Sequence, residues 1–466
     1  MMAALFSLPF GFSFVCLRIF VLLLGLIGVL VFYLFINRVT KNNVIAFVGA
    51  LILMVNPLYC SLSFSFMTDV PFLVFALTAI FFFYKSLELQ SRKLVIMGTV
   101  FAIIATLIRQ FGIIIPIAYS AVFLIRKNPK WKEFAIQLIP VIIIAAALKF
   151  TLMWMEHIGS PLRPFEGQHV IDFLKKPDII AYKTYDRIGD LLVQSGFFLL
   201  PIVIYKGINM GWFSSRGKRI TTIIVLFIFI MPILHTWGRF PFGDYTNSGY
   251  IGPTNVKVSE GFQLYSFSNQ LIYAIGILGI IGAVLLLLNL VNLFSSQKKE
   301  NKHIFILFCI LCYACLTFID DAFFDRYFLL PVPLFYLLVA ANEDAQKSTK
   351  RIQMAVACLF FFVLAGYSVA GTHDYMERNR SRWQALNYLT GELKTSPHKI
   401  DGGYEFNGWN IGRFFKHVEG RSWWYVDDDE YVVTYDTLKG YKVIKQFPYR
   451  NDMPYCEKKM NILHRE

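Results

Sequence analysis

Long apolar runs alternate with short polar segments over the first 372 residues of the chain. About twelve of these runs are as long as the roughly 17–25 residues that a helix needs to cross a bilayer, or slightly shorter. They cover residues 12–36, 44–62, 70–84, 94–108, 111–125, 134–155, 191–205, 220–236, 271–294, 304–319, 327–341 and 352–372. The pattern predicts an all-α polytopic membrane domain of about twelve spans over residues 1–372.

The remainder of the chain, residues 373–466, is polar and follows different patterns. Trp383, Leu386, Leu389 and Leu393 recur at helical spacing. Residues 431–447 predict two short strands around a turn that contains Gly440. A small α/β domain is therefore expected here. Its acidic run at 427–430 fits a solvated turn better than a metal site, because runs of like charge are usually exposed.

Basic residues are concentrated in every second loop. These loops lie at 38–41, 85–93, 126–132, 206–219, 298–302 and 347–351. Lys and Arg in short loops mark the cytoplasmic side, so the opposite loops and residues 373–466 are predicted to be extracytoplasmic. The same alternation places Met1 outside, so we expect either an N-out protein or a chain whose first helix and first outer loop are missing.

Composition agrees with a membrane protein, since 56% of the residues are hydrophobic and the mean hydropathy is +0.52. The net charge of +14 lies mostly in the short loops. It predicts contact with membrane lipids, and nucleic acid is not expected as a partner. The location most consistent with the sequence is the inner (plasma) membrane of a bacterium.

Several charged residues fall at the predicted outer ends of the spans, where a charge close to hydrocarbon is expensive and usually functional. They are Arg18, Asp69, Arg109, Arg239, Asp325 and Arg326. Each also has a structural interpretation. Thr68 and Asp69 could serve simply as a helix cap. Arg109 could simply extend to the lipid headgroups, and Asp325 and Arg326 could form a local ion pair.

The functional interpretation is a site for a phosphate-bearing lipid. Transfer of a sugar from a polyprenyl phosphate needs cations on the leaving phosphate, and Arg suits this role through its fork of N–H donors. It also needs a carboxylate as general base for the acceptor hydroxyl. Arg109 and Arg326 fit the first role. Asp69 could act as a catalytic carboxylate, orient a basic residue or bind a divalent metal ion. No other cofactor is indicated.

Four segments carry a resemblance to a known family: MTDVPF at 67–72, the Phe-rich span that follows it, ATLIRQFGIIIP at 105–116 and DRYFLLPVPLF at 325–335. In this order they resemble the GT-C integral-membrane glycosyltransferases, and most closely family 39, which includes protein O-mannosyltransferases and aminoarabinose transferases. The resemblance covers roughly residues 5–370. It implies a polyprenyl phosphate sugar donor, an extracytoplasmic acceptor, an acidic position at Asp69 near the donor or metal, and phosphate-facing positions at Arg109 and Arg326.

The chain departs from this family at its beginning. The family's catalytic acidic residue lies in the first outer loop, after a first spanning helix, and this sequence resembles the segment that follows. A truncated start and a non-catalytic member therefore both remain open. The other alternative is a transporter or flippase for a lipid-linked sugar, although charges gathered at one face favour an enzyme over the mid-membrane sites of transporters.

Overall fold

The structure is a computed structural model. It describes residues 2–11, 13–125, 131–158, 175–206, 216–236, 250–252, 256–260, 262, 267–295, 300–319, 323–342, 351–411 and 426–466. The chain divides into two compact units. Unit 1 contains residues 1–242 and 268–365, and unit 2 contains residues 243–267 and 366–466.

Unit 1 is built from α-helices in the part of the chain that is described. They are α1 (Met2–Ser7), α2 (Phe14–Thr40), α3 (Asn43–Met54), α4 (Pro57–Ser63), α5 (Asp69–Leu89), α6 (Arg92–Ile108), α7 (Ile114–Ile125), α8 (Trp131–Gln137), α9 (Ile139–His157), α10 (Pro177–Phe198), α11 (Leu200–Lys206), α12 (Arg216–His235), α13 (Asn269–Ser295), α14 (Asn301–Ile319) and α15 (Pro331–Ala340). Short 3-10 helices cover Gln110–Ile113 and Asp325–Leu329. The next helix, α16 (Arg351–Asn387), contains the division between the two units.

The predicted membrane character is confirmed, but the predicted count of about twelve spans is not. Six helices of the described ranges are long and apolar enough to cross a membrane, or eight if each of two bent helix pairs forms one span. Other predicted spans are present as shorter apolar helices, such as residues 110–125 and 219–235. Apolar runs predict where helices lie, but the length of a run does not show whether it forms one straight helix or two shorter ones.

The bend between α3 and α4 shows how a single apolar run becomes two helices. The predicted span 44–62 breaks at Asn56, where the axes turn by 65°. The Asn56 side chain accepts hydrogen bonds from the N–H groups of Leu58 and Tyr59, at 3.0 and 3.2 Å, and Pro57 occupies the first helical position. An Asn cap followed by Pro is a strong helix start, so a new helix begins inside the apolar run.

Helix α5 is the centre of unit 1. It packs against α2, α6, α7 and α14, and 67% of its most apolar window is buried, compared with 11% for residues 131–157. Its buried face includes Val70, Leu73 and Leu77. Because α5 is surrounded by other helices, the residues at its N-terminus are held inside the protein and not in the lipid.

Unit 2 contains a four-stranded sheet of β1 (Ile400–Asp401), β2 (Tyr431–Thr434), β3 (Tyr441–Asp452) and β4 (Tyr455–Arg465), in the order β1-β2-β4-β3. Strand β1 runs parallel to β2, and the other pairs are antiparallel. Helix α16 continues into a π-helical turn at Tyr388–Glu392, a 3-10 turn covers Pro397–Lys399, and α17 (Tyr404–Asn410) follows β1. The core of the unit joins Leu386 and Leu389 to Val433, Met460 and Ile462.

The predicted helix around Trp383 and the two predicted strands are confirmed. The two strands are not neighbours in the sheet, because β4 lies between them. The predicted boundary at residue 372 lies within α16, and the C-terminal segment of unit 2 begins at residue 366. It also includes the earlier segment 243–267, where Ile251 accepts a hydrogen bond from Arg378 at 2.6 Å and Lys257 pairs with Asp429 at 3.1 Å.

Candidate active site

The carboxylate of Asp69 occupies the first turn of α5, at the start of the central helix. Its side chain is only 2% exposed. Thr68, which precedes it, makes no capping hydrogen bond with its side chain, so the capping interpretation does not describe Thr68. An acidic residue in the first turn is favoured by the helix dipole, but that effect does not require burial. The reason for the burial is found in the partners of Asp69.

Arg109 is the closest of these partners. Its Nη2 lies 2.8 Å from Asp69 Oδ1, and its Nε donates to Thr68 Oγ1 at 3.0 Å. The guanidinium therefore uses two of its five N–H groups on Asp69, the first residue of α5, and on Thr68, which precedes it. Arg109 is 15% exposed, so it is held inside the protein and does not simply extend to the lipid headgroups.

The chain direction after α6 places Arg109 in this position. The N–H of Arg109 donates the last hydrogen bond of α6, to the carbonyl oxygen of Ala105 at 2.8 Å. The extended backbone of Arg109, with φ of −143°, then ends the helix. The following 3-10 helix folds back onto α6 at Gly112. A Cβ atom at Gly112 would lie 2.5 Å from the backbone nitrogen of Thr106, so a larger residue would push the chain away from α6.

Arg326 brings a second guanidinium to the same carboxylate from a distant part of the sequence. Its Nε lies 3.8 Å from Asp69 Oδ1, and its guanidinium lies over the ring of Phe324 at 4.3 Å. Asp325, the adjacent residue, is fully buried. The structure thus brings together the side chains of Asp69, Arg109 and Arg326, and Asp325 precedes Arg326 in the chain.

Aromatic side chains surround the arginines. Arg109 lies over the ring of Tyr327 at 5.7 Å. Phe111 packs edge-on against both Tyr327 and Tyr313, each with its centroid at 5.6 Å, and Phe72 stacks on Tyr313 at 6.4 Å. Aromatic faces attract guanidinium groups and exclude water from them. These contacts hold the arginine pair in an apolar setting, in which their charges act strongly on an anion.

Arg187 is a residue near this site that the sequence reasoning missed. It is buried on α10 and donates to the carbonyl of Phe318 at 2.5 Å, at the end of α14. It also lies over the ring of Phe323 at 4.8 Å, and Phe323 packs against Tyr327 at 5.7 Å. Arg187 therefore supports the segment that carries Arg326. In the sequence, Arg187 is a cation between two predicted spans, 134–155 and 191–205, whereas in the structure it lies on α10, which begins at Pro177.

The other predicted residues are not brought to this cluster. Arg18 lies on α2 with an exposed side chain, and no ion pair links it to Asp69 within the described ranges. Arg239 falls outside the described residues. Another ionisable residue near the end of an apolar helix is His235 of α12, which pairs with Asp186 at 3.3 Å and lies 5.6 Å from the ring of Tyr185.

The residues around Asp69 do not fit a divalent metal ion. The nearest charged partners of this carboxylate are two arginines, which repel a cation. Among the described residues, the potential ligand group of three or more His, Cys, Asp or Glu side chains does not include Asp69.

Several helices are long and apolar enough to cross a membrane, which makes this a multi-pass membrane protein. At the ends of such helices, one buried carboxylate contacts two arginines. Residues 1–154 match the family model described as dolichyl-phosphate-mannose-protein mannosyltransferase. Within these residues, about a third of the chain, the match confirms the resemblance to GT-C glycosyltransferases of family 39. The matched part includes Asp69 and Arg109, and Arg326 lies beyond it. No curated protein and no solved structure shows a significant match to the chain.

Proposed function

We propose that the protein transfers a sugar from a polyprenyl phosphate carrier to an extracytoplasmic acceptor. The observation that carries the proposal is the pair of guanidinium groups, Arg109 and Arg326, held on one buried carboxylate at the ends of apolar helices. A lipid phosphate combines an anionic head with a hydrocarbon tail. Two arginines in an apolar setting at the ends of membrane helices offer a complementary environment to both parts.

In the proposed reaction, the acceptor oxygen forms a bond to the anomeric carbon, and the bond from this carbon to the phosphate oxygen breaks. The phosphate leaves with the electron pair of that bond, and a carboxylate base takes the proton of the acceptor hydroxyl. Arg109 and Arg326 would stabilise the charge that develops on the leaving phosphate. Asp69 would orient the two guanidinium groups, because it contacts both of them.

The distribution of charge between loops supports the proposed location. Basic loops alternate with loops that contain Asp69, Arg109 and Asp325, and the positive-inside rule places the second set outside. A polyprenyl phosphate sugar would then meet the arginines at the outer surface of a bacterial inner membrane. Unit 2 would be extracytoplasmic and close to the acceptor.

Binding of undecaprenyl phosphate to the purified protein in nanodiscs tests the arginines directly. Arg109→Met and Arg326→Met should each weaken binding by about 10- to 100-fold, since a hydrogen bond to a charged group contributes about 1.5–3 kcal/mol. Arg109→Lys keeps the charge but loses the fork of donors, so it should recover only part of the affinity. The matched control is Arg38→Met, which removes an arginine that pairs with Glu88 at 3.0 Å elsewhere in unit 1.

Undiminished binding in both Arg109→Met and Arg326→Met would refute the phosphate site. A loss of binding supports the site only where the variant is still folded at the assay temperature. The reaction is tested separately with undecaprenyl phosphate mannose in the same nanodiscs. A transferase should release undecaprenyl phosphate when an acceptor extract is added. A flippase would leave the donor intact and change only the leaflet in which it resides.

A further inference from the structure

Three potential metal ligands converge in unit 2, away from any motif that the sequence displays. His373 and Asp374 are consecutive residues of α16, and Asp452 is the last residue of β3. His373 Nδ1 lies 3.3 Å from Asp452 Oδ2 and 3.5 Å from Asp374 Oδ1. One ligand atom from each residue falls within 4.8 Å of the other two.

Both carboxylates are held in place by other groups. Asp374 is fully buried and accepts hydrogen bonds from the backbone N–H groups of Asp452 and Met453, at 2.7 and 2.9 Å. Each carboxylate oxygen has two lone pairs, so the one that faces His373 can still bind a cation. Arg450 donates to the other oxygen of Asp452 at 3.1 Å. Outer contacts of this kind orient the ligands of metal sites.

The distances agree with a small divalent ion. Bonds of about 2.0–2.2 Å from Zn²⁺ to nitrogen and oxygen place neighbouring tetrahedral ligands roughly 3.3–3.6 Å apart. The two distances from His373 Nδ1 lie in this range. The imidazole is half exposed, so an ion can enter from solvent, and water can complete the coordination.

We propose that His373, Asp374 and Asp452 bind a divalent transition-metal ion such as Zn²⁺, which ties α16 to the end of the β3–β4 hairpin. One imidazole with two carboxylates suits Zn²⁺ or Mn²⁺, whereas Ca²⁺ requires six to eight oxygen ligands. The ion joins parts of unit 2 that are 78 residues apart in sequence. Its expected role is to stabilise the fold of this unit, independently of the sugar transfer proposed above.

Two other histidines of unit 2 provide a comparison. His398 pairs with Asp427 at 2.6 Å, and His464 lies 3.8 Å from Glu430. Among the described residues, the acidic run at 427–430 contributes no group of three ligand atoms within 4.8 Å of one another. Its carboxylates instead form ion pairs with basic side chains. The pairs are Asp427 with His398, Asp428 and Asp429 with Arg465, Asp429 with Lys257, and Glu430 with Lys399.

The test uses the full-length protein in detergent, stripped of metal with a chelator and titrated with Co²⁺ and then with Zn²⁺. We expect a saturable Co²⁺ absorption band that Zn²⁺ displaces, and a higher thermal midpoint with Zn²⁺. His373→Ala and Asp452→Asn should weaken binding by at least about 10- to 100-fold, the loss that supporting contacts alone can cause. Both side chains are partly exposed, so these variants should fold.

His398→Ala is the matched control, because it removes an exposed histidine that pairs with a single carboxylate. It should keep the band and the increase in thermal midpoint. Equal binding in wild type, His373→Ala and Asp452→Asn would overturn the proposal. A wild-type protein that binds no Co²⁺ would overturn it as well.

Discussion

The charge of Asp69 should be coupled strongly to that of Arg109, and a double-mutant cycle can measure this coupling. The variants are Asp69→Asn, Arg109→Met and the combination of both. At 2.8 Å from Arg109 and 3.8 Å from Arg326, the Coulomb attractions are about 6 and 4 kcal/mol with an effective dielectric constant of about 20. Desolvation of the charges cancels much of this attraction.

The net cost of each single change is still expected to be large. Removing one partner of a buried ion pair costs about 3–5 kcal/mol, because the other charge is left uncompensated. Asp69→Asn leaves two guanidinium groups close together, and Arg109→Met leaves Asp69 with only the longer contact to Arg326. The double variant removes the closest pair as a unit. It should therefore lose less free energy of unfolding than the sum of the single losses, by about 1–3 kcal/mol.

Steric trapping in bicelles gives the free energy of unfolding of a membrane protein and is the suitable assay. The control cycle combines Arg38→Met with Glu88→Gln, a pair at 3.0 Å whose side chains are 38% and 28% exposed. Exposed pairs contribute about 0–1 kcal/mol, so this coupling should be the smaller of the two. Losses at Asp69 and Arg109 that add to within about 0.5 kcal/mol would refute the reasoning.

Two further changes test packing and protonation. Gly196→Ala should destabilise unit 1 by about 1–3 kcal/mol, because its Cβ would lie 2.7 Å from the Cα of Ala283 on α13. The control is Gly366→Ala, whose Cβ would have no atom within 4 Å, and it should show no loss of stability in the same unfolding assay. Burial raises the pKa of Asp401, although hydrogen bonds from Asn407 and Gly403 lower it in part. The folded state therefore holds this proton more tightly than the unfolded chain, and its contribution to stability falls as the pH rises from the ordinary carboxyl pKa towards the raised one. Asp401→Asn should remove this decrease from the pH dependence of the thermal midpoint of unit 2. The same decrease in the variant would show that Asp401 is not its source.

The chemistry of single residues was easier to predict than the geometry of the helices. Asp69, Arg109 and Arg326 stood out because charge at the edge of an apolar run is costly, and the same cost explains why the fold gathers them. Arg187 did not stand out, because the polar first half of α10 has the composition of a loop. The buried residues of this helix begin at Arg187, and its exposed first half extends the same helix towards Pro177.

Pairing between distant segments was hidden for a different reason. Residues 431–447 predict two strands correctly, but nothing in their pattern shows that β4 inserts between them. The group of His373, Asp374 and Asp452 is equally invisible, because two of its members are adjacent and the third follows 78 residues later. Only the pairing of β3 with β4 and the contact of their turn with α16 bring the three together.

Unit 2 is built from two segments that are far apart in the chain, and this has a consequence for biosynthesis. Lys257 precedes its partner Asp429 by 172 residues, and at about 5–20 residues per second the ribosome needs roughly 10–30 s to make the intervening chain. During this interval, segment 243–267 has left the ribosome before the sheet with which it packs exists. A chaperone that binds nascent chains would have this interval in which to act on it. A gene fragment that starts at residue 366 would lack the segment altogether.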